Sequence, residues 1–236
     1  MRIEHLKYLR CPKTANELVL ENEIYENNKV KGGFLVEKLS GTRYPIINFI
    51  PRFVPLENYS DSFGLQWNIH NRTQYDETSK HDLSRIRFYE QTKWPHNLNG
   101  EVILEAGSGS GRFTKYAVET GAMVISFDYS NAVEANYKSN GDLENLIIVQ
   151  ASIYEMPFSK EAFERVFCIG VIQHTPDPEQ SFYKLIEMMK PGGYLCTDVY
   201  LKNFAKVYAT PKYLIRKFTK GRPPEKLYRR IVKYID

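Results

Sequence analysis

Five short apolar runs, at 102–106, 123–128, 146–151, 165–172 and 193–200, alternate with helical patterns, and this alternation constrains the fold most. The helical stretches follow Gly111, begin at Ser130 and span 178–190, while "LSRIRFYEQTKW" (83–94) leads in with Leu83, Ile86 and Tyr89 or Glu90 about a turn apart. Apolar strands separated by helices imply an α/β domain whose doubly wound, mostly parallel sheet is covered on both faces.

Residues 1–57 read differently. The runs "ELVLENEIY", "GGFLVEKL" and "RYPIINFI", broken by Gly33, Gly41, Pro45, Pro51 and Pro55, predict a small β-rich unit. Leu18, Leu20, Phe34, Tyr44, Ile46 and Ile50 are its candidate core. Residues 58–82 are polar and irregular and read as a linker with a functional arm, leaving 83–236 as the main domain.

Composition narrows the class. With 236 residues, 42% hydrophobic and 25% charged, the chain has the make-up of an ordinary globular protein. No run reaches the roughly 20 apolar residues of a membrane span, and "MRIEHLKYLR" lacks the apolar core of a secretory signal. Cys11, Cys168 and Cys196 are scattered and odd in number, which suits a reducing cytoplasm. The net charge of +4 hides an asymmetry: residues 202–236 carry eleven Lys/Arg against two acids. Such a tail reads as a solvated helical face or as a contact for nucleic acid or an anionic surface.

The stretch "ILEAGSGSGRF" (103–113) joins the first strand of the main domain to its helix, at the sheet edge where open α/β folds bind ligands. Arg112 and Phe113 after Gly111 exclude a phosphate-binding P-loop, and the glycine spacing fits the dinucleotide fingerprint poorly. What remains is E-x-G-x-G-x-G, with Glu105 suited to a ligand bearing a cationic amino group. Asp128 ends the next strand, where a carboxylate can accept hydrogen bonds from both ribose hydroxyls. An amino-acid cation and a ribose together describe S-adenosylmethionine; the plainer alternative is a surface loop with an incidental acid.

At this point "VILEAGSGSGRF", "VISFDYS", "QASIYEMPF", "FERVFCIGVIQHTPDP" and "MMKPGGYL" resemble, in order and spacing, the five motifs of class I S-adenosylmethionine-dependent methyltransferases. The resemblance implies a Rossmann-like methyltransferase fold, with S-adenosyl-L-homocysteine as product. It also implies cofactor contacts from Glu105, Ala106, Gly107, Ser108 and Gly109 around the methionine part, with Gly111 shaping the loop. Asp128 would hold the ribose and Tyr129 lie beside the adenine. Ser152 stands where the third motif commonly has aspartate, so its neutral hydroxyl would make a weaker bond to the adenine amine. Ile153 would lie on the adenine, and Gly170 and Gln173 would close the fourth-strand side.

The front unit resembles the zinc-ribbon units that precede some bacterial methyltransferases. Of their four cysteine positions only Cys11 is retained, with Thr14, Glu37 and Ser40 at the others, so no zinc is expected. The same resemblance extends through "FGLQWN" and "RTQYD". Gln66, Trp67, Gln74 and Asp76 become candidates for a lid or for substrate contact, or Trp67 and Phe63 staple the two parts together.

Methyl transfer needs a base only when the acceptor is protonated. His174, after the fourth strand, is the candidate catalytic base; alternatively it shapes its loop through Asp177 or a backbone carbonyl. The family's sheet has seven strands, whereas the 36 residues after Tyr200 read as helices, so the C-terminal strands are expected to be missing. An uncovered sheet edge would then invite a homodimer. The favoured acceptor is a small molecule, sugar or lipid-linked intermediate. The alternatives are a tRNA or protein acceptor met by the basic tail, or a non-catalytic adenosyl- or partner-binding relic.

Overall fold

Two tight turns set the register of the front sheet. Strands β1 (Val19–Glu26) and β2 (Lys29–Val36) join through Asn27 and Asn28 at φ 49° and 60°. A two-residue turn with both φ positive matches the right-handed twist of a hairpin, and asparagine tolerates that region. β3 (Arg43–Ile47) and β4 (Ile50–Pro51) join likewise through Asn48 and Phe49 at φ 52° and 69°. Left-handed backbone is unfavourable for a phenylalanine. Here the Phe49 ring stacks on Tyr137 at 5.2 Å and 5°, which offsets the strain. The four strands form an antiparallel sheet in the order β1-β2-β3-β4.

The computed structural model describes residues 1–55 and 83–199. Residues 1–198 form one unit, and a second begins at Val199. Gln66, Trp67, Gln74, Asp76, the basic tail and the expected missing strands therefore lie outside the described residues.

The second sheet is parallel throughout, with β5 (Val102–Ala106), β6 (Met123–Asp128), β7 (Leu146–Gln150), β8 (Phe163–Cys168) and β9 (Met189–Thr197) in the order β7-β6-β5-β8-β9. The chain runs outward from β5 on one side and returns to its other side, creating a switch point between β5 and β8. Helices α1 (Leu83–Thr92), α2 (Thr114–Glu119), α3 (Val133–Asn140) and α4 (Pro178–Met188) complete the described domain.

Period-two alternation divides the sheet's side chains between two cores. Leu104, Ile125, Phe127, Ile147, Val149 and Val166 join α4 residues Leu185 and Met188, together with front-unit residues such as Leu9, Leu35 and Tyr44. Ile103, Val124, Ile148 and Phe167 join Phe88, Trp94, Phe113 and Tyr116 on the opposite face. The front unit thus shares a core with the sheet. It also lengthens it: Arg52 pairs in parallel with Gln150, and the Phe53 N–H donates to the Gln150 carbonyl at 2.8 Å. That edge of β7 is occupied from within the chain, whereas β9 pairs with β8 alone among the described residues.

Several expectations shift. In the front unit Phe34 is exposed beneath Arg43, while Leu35 is fully buried, because the strand's phase turns the smaller residue inward. Along α1, Leu83 and Ile86 are exposed and the buried stripe is Ser84, Phe88 and Thr92, set by the aromatic cluster around Phe88. The fourth parallel strand ends at Cys168, not at 172, because Gly170 takes φ +75° and a 3-10 turn follows at Ile172–His174. β9 starts at Met189, earlier than read, and α4 is correspondingly shorter.

Candidate functional site

The glycine loop caps β5 at the switch point. Gly107, Gly109 and Gly111 all take positive φ, at +77°, +53° and +89°. The N–H groups of Gly107 and Ser108 both donate to the Phe127 carbonyl, at 2.8 and 3.0 Å, tying the loop to β6. A Cβ on Gly107 would stand 2.4 Å from Val171 Cγ1, and one on Gly111 would stand 2.1 Å from Asn136 Oδ1. The missing side chains thus let the β8 exit and α3 close on the loop.

Asp128 sits at the end of β6. Its Oδ2 accepts the Gly109 N–H at 2.9 Å, and its Oδ1 accepts the Ser130 N–H at 2.8 Å and hydroxyl at 2.7 Å. These donors leave lone pairs on a half-buried carboxylate beside the loop.

Glu105 is the penultimate residue of β5. It is 2% exposed, and its Oε2 accepts from the Ser126 hydroxyl at 2.7 Å and from the Thr114 hydroxyl. Burial pushes its pKa up to about 7, against the pull of those two hydroxyls. A carboxylate so enclosed braces the loop; it is not displayed as an exposed anion.

Two residues of this brace escaped the sequence reading. Asn136 donates to the Thr114 and Ser126 hydroxyls, both at 3.1 Å, and Asn140 donates to the Gly111 carbonyl at 3.2 Å. Both are buried on α3. Their signal is a pair of asparagines four apart on the buried face of a helix, where asparagine is a poor helix former and needs partners.

At the end of β7, the fully buried Gln150 donates to the Tyr129 carbonyl at 3.1 Å and to Asn131 Oδ1 at 3.3 Å. Ser152 accepts the Tyr154 N–H at 3.2 Å, and Ile153 is buried. Ala106 is buried at the end of β5. Beyond β8, the Gly170 N–H donates to Asp198 Oδ1. His174 is exposed, and its backbone N–H donates to the Val171 carbonyl at 2.8 Å. Asp177 Oδ1 accepts the Gln180 N–H at 2.9 Å, capping α4.

Two buried polar groups on these segments lack partners: the Ser108 hydroxyl and both ends of the Gln173 side-chain amide. Leaving such groups unsatisfied costs about 1–3 kcal/mol each, so polar ligand groups meeting the loop and the β8 exit would relieve a penalty. Together with the half-buried Asp128 carboxylate, these groups form a donor and acceptor set that fits S-adenosylmethionine.

In the front unit Cys11, Thr14, Glu37 and Ser40 are each hydrogen-bonded. Cys11 Sγ contacts the Tyr44 hydroxyl at 3.3 Å, and Thr14 Oγ1 accepts the Asn16 N–H at 3.3 Å. Glu37 accepts the N–H groups of Leu39 and Ser40 at 2.9 and 2.8 Å, and Ser40 meets Thr42 at 2.8 Å. These bonds, Ser40 foremost, hold the Glu37 pKa down to about 2. Among the described residues no group of three or more His, Cys, Asp or Glu could hold a metal.

Sheet order, glycine loop and the acid ending β6 are similar to those of class I S-adenosylmethionine-dependent methyltransferase domains. Residues 104–197 match the family described as "Methyltransferase domain". The chain is 30% identical over 128 residues to the tRNA U34 carboxymethyltransferase of Ruthia magnifica subsp. Calyptogena magnifica, covering 49% of this chain and 39% of that protein. It is 28% identical over 123 residues to the ubiquinone biosynthesis O-methyltransferase of Coxiella burnetii, covering 51% of each. The chain thus spans about half or less of these relatives' length. A solved complex between the Haloferax volcanii Trm112 methyltransferase activator and a methyltransferase contains a chain of similar fold, at TM-score 0.50 and 18% identity, over 62% of this chain and 65% of that one.

Proposed function

We propose that the chain moves a methyl group from S-adenosyl-L-methionine to an O, N or C atom of a small-molecule, sugar or lipid-linked acceptor, releasing S-adenosyl-L-homocysteine. The carrying observation is the pairing of the glycine loop with Asp128, linked by the 2.9 Å bond from Gly109. The cofactor supplies an activated methyl on a sulfonium, and the protein's task is to align it with the acceptor and exclude water. Glu105, Asn136 and Asn140 keep the loop in shape. Asp128 takes the ribose hydroxyls, Tyr129, Ser152 and Ile153 line the adenine side, and Gly170 and Gln173 line the methionine side.

Where the acceptor is a hydroxyl, His174 is the candidate to take its proton, being exposed on the turn after β8. Gln66, Trp67, Gln74 and Asp76 remain the proposed lid. The front unit is proposed as a zinc-ribbon-like fold that keeps its turn through Glu37 without a metal. A cytoplasmic setting is supported by three unpaired cysteines. No helix among the described residues is long and apolar enough to cross a membrane.

A second reading, transfer to tRNA, is favoured by the basic stretch 202–236 and by the tRNA-acting relative. Release of S-adenosylhomocysteine tests both. Turnover with hydroxylated small molecules supports the first reading, and turnover with bulk tRNA that falls steeply with salt supports the second. Cofactor binding without turnover on either panel would favour the non-catalytic alternative.

A further inference from the structure

The backbone ladder between β8 and β9 ends at the pair Cys168–Thr197, and Gly170 leaves the sheet at φ +75°. Its N–H would there lose a strand partner, yet it donates to Asp198 Oδ1, so a side chain continues the hydrogen bonding that the backbone cannot. The other oxygen, Oδ2, accepts from Arg87 Nη2 at 3.0 Å and from Gln91 Nε2 at 3.2 Å, both on α1. Arg87 Nε in turn donates to Gln91 Oε1 at 3.2 Å.

The same helix reaches the glycine loop's exit. Buried Ser84 accepts from Arg112 Nε at 2.8 Å, and the Arg87 guanidinium lies 5.6 Å from the centre of the Phe113 ring. α1 therefore registers two segments against each other: the start of α2 after the glycine loop, and, through Asp198, the turn carrying Val171 and Gln173. That turn also meets the glycine loop itself, where Gly107 packs against Val171.

We infer that Asp198 is a positioning residue, held by Arg87 and Gln91, that sets the Gly170–Gln173 wall for the amino-acid end of the cofactor. This rests on the proposed cofactor reading and adds a residue and a ligand part to it. Both carboxylate oxygens are engaged by donors, as befits an anchor.

The test is affinity of the full chain for two probes: S-adenosylhomocysteine, and 5′-methylthioadenosine, which has the same nucleoside without the amino-acid end. Asp198→Ala should weaken S-adenosylhomocysteine about tenfold, the worth of one charge-assisted bond, while methylthioadenosine changes less than about twofold. Arg87→Met should show the same split more weakly. Asp198→Asn should restore part of the affinity, since its amide oxygen still accepts the Gly170 N–H. Equal losses for both probes, or no loss for either in Arg87→Met and Asp198→Ala, would overturn the proposal. So would unchanged affinity with abolished turnover, which would make Asp198 an acceptor-side group. If wild type binds neither probe, the cofactor reading itself fails, a result distinct from all of these.

Discussion

Arg52 and Gln150 meet side chain to side chain, Nη1 to Oε1 at 2.8 Å, where the front sheet is joined to the edge of the parallel sheet. Arg52 is 3% exposed and its other terminal nitrogen donates to Glu134 on α3. Gln150 passes the constraint on, since its amide nitrogen donates to the Tyr129 carbonyl beside Asp128. Arg52→Met should therefore destabilise the fold by about 2 kcal/mol, mostly through the buried Gln150 oxygen it leaves unpaired. The urea midpoint should fall without a change in slope.

Glu37 gives the front unit an acid-sensitive joint. Its pKa is lowered from 4.5 to about 2. A depressed carboxylate stabilises the fold fully above its unfolded value and loses that contribution as pH falls through the folded one. Stability should decline between about pH 4.5 and 2, and Glu37→Gln should flatten that limb in a thermal-midpoint series. An unaltered limb would remove Glu37 as the joint.

Glu105 predicts the opposite slope at higher pH. Its folded pKa, about 7, lies above the reference 4.5, so the folded state holds a proton that the unfolded state has released. Stability present at low pH is then lost as pH rises from about 4.5 to 7, by an amount on the order of a few kcal/mol. Glu105→Gln mimics the protonated acid and should abolish this slope, leaving the variant no less stable than wild type at pH 8. A persisting slope would assign it to another group.

Gly111→Ala would place a methyl 2.1 Å from Asn136 Oδ1 at φ +89°. It should destabilise the protein by about 2 kcal/mol or more, because neither strain nor overlap can relax in a buried cluster. Gly107→Ala meets the Val171 side chain instead and should primarily impair cofactor affinity. Paired melting and binding curves separate the two effects.

The parallel sheet was legible because its strands are apolar on both faces and end at glycine or acid, as "VILEAG" and "VISFD" do. The loop glycines were legible for the same reason: few residue types meet such backbone demands. Phase was harder. Phe34 and Leu35 are both apolar, and only packing decides that Leu35 turns inward. The α1 stripe was misread because Ser84, a polar residue, is buried against Arg112 while Leu83 is exposed. Arg52 and Asp198 escaped because each acts on a segment remote in sequence and no local pattern marks such a partner, while the spacing of Asn136 and Asn140 marks a buried polar pair without naming what it binds.

The central claim is that the loop at 105–111 and Asp128 hold S-adenosylmethionine, and calorimetric titration with S-adenosylhomocysteine tests it most directly. Wild type should bind with micromolar affinity (Kd near 1 μM corresponds to about −8 kcal/mol), and Asp128→Ala, still folded, should lose that binding. Absence of binding by folded wild type, or full affinity in Asp128→Ala, would contradict the account.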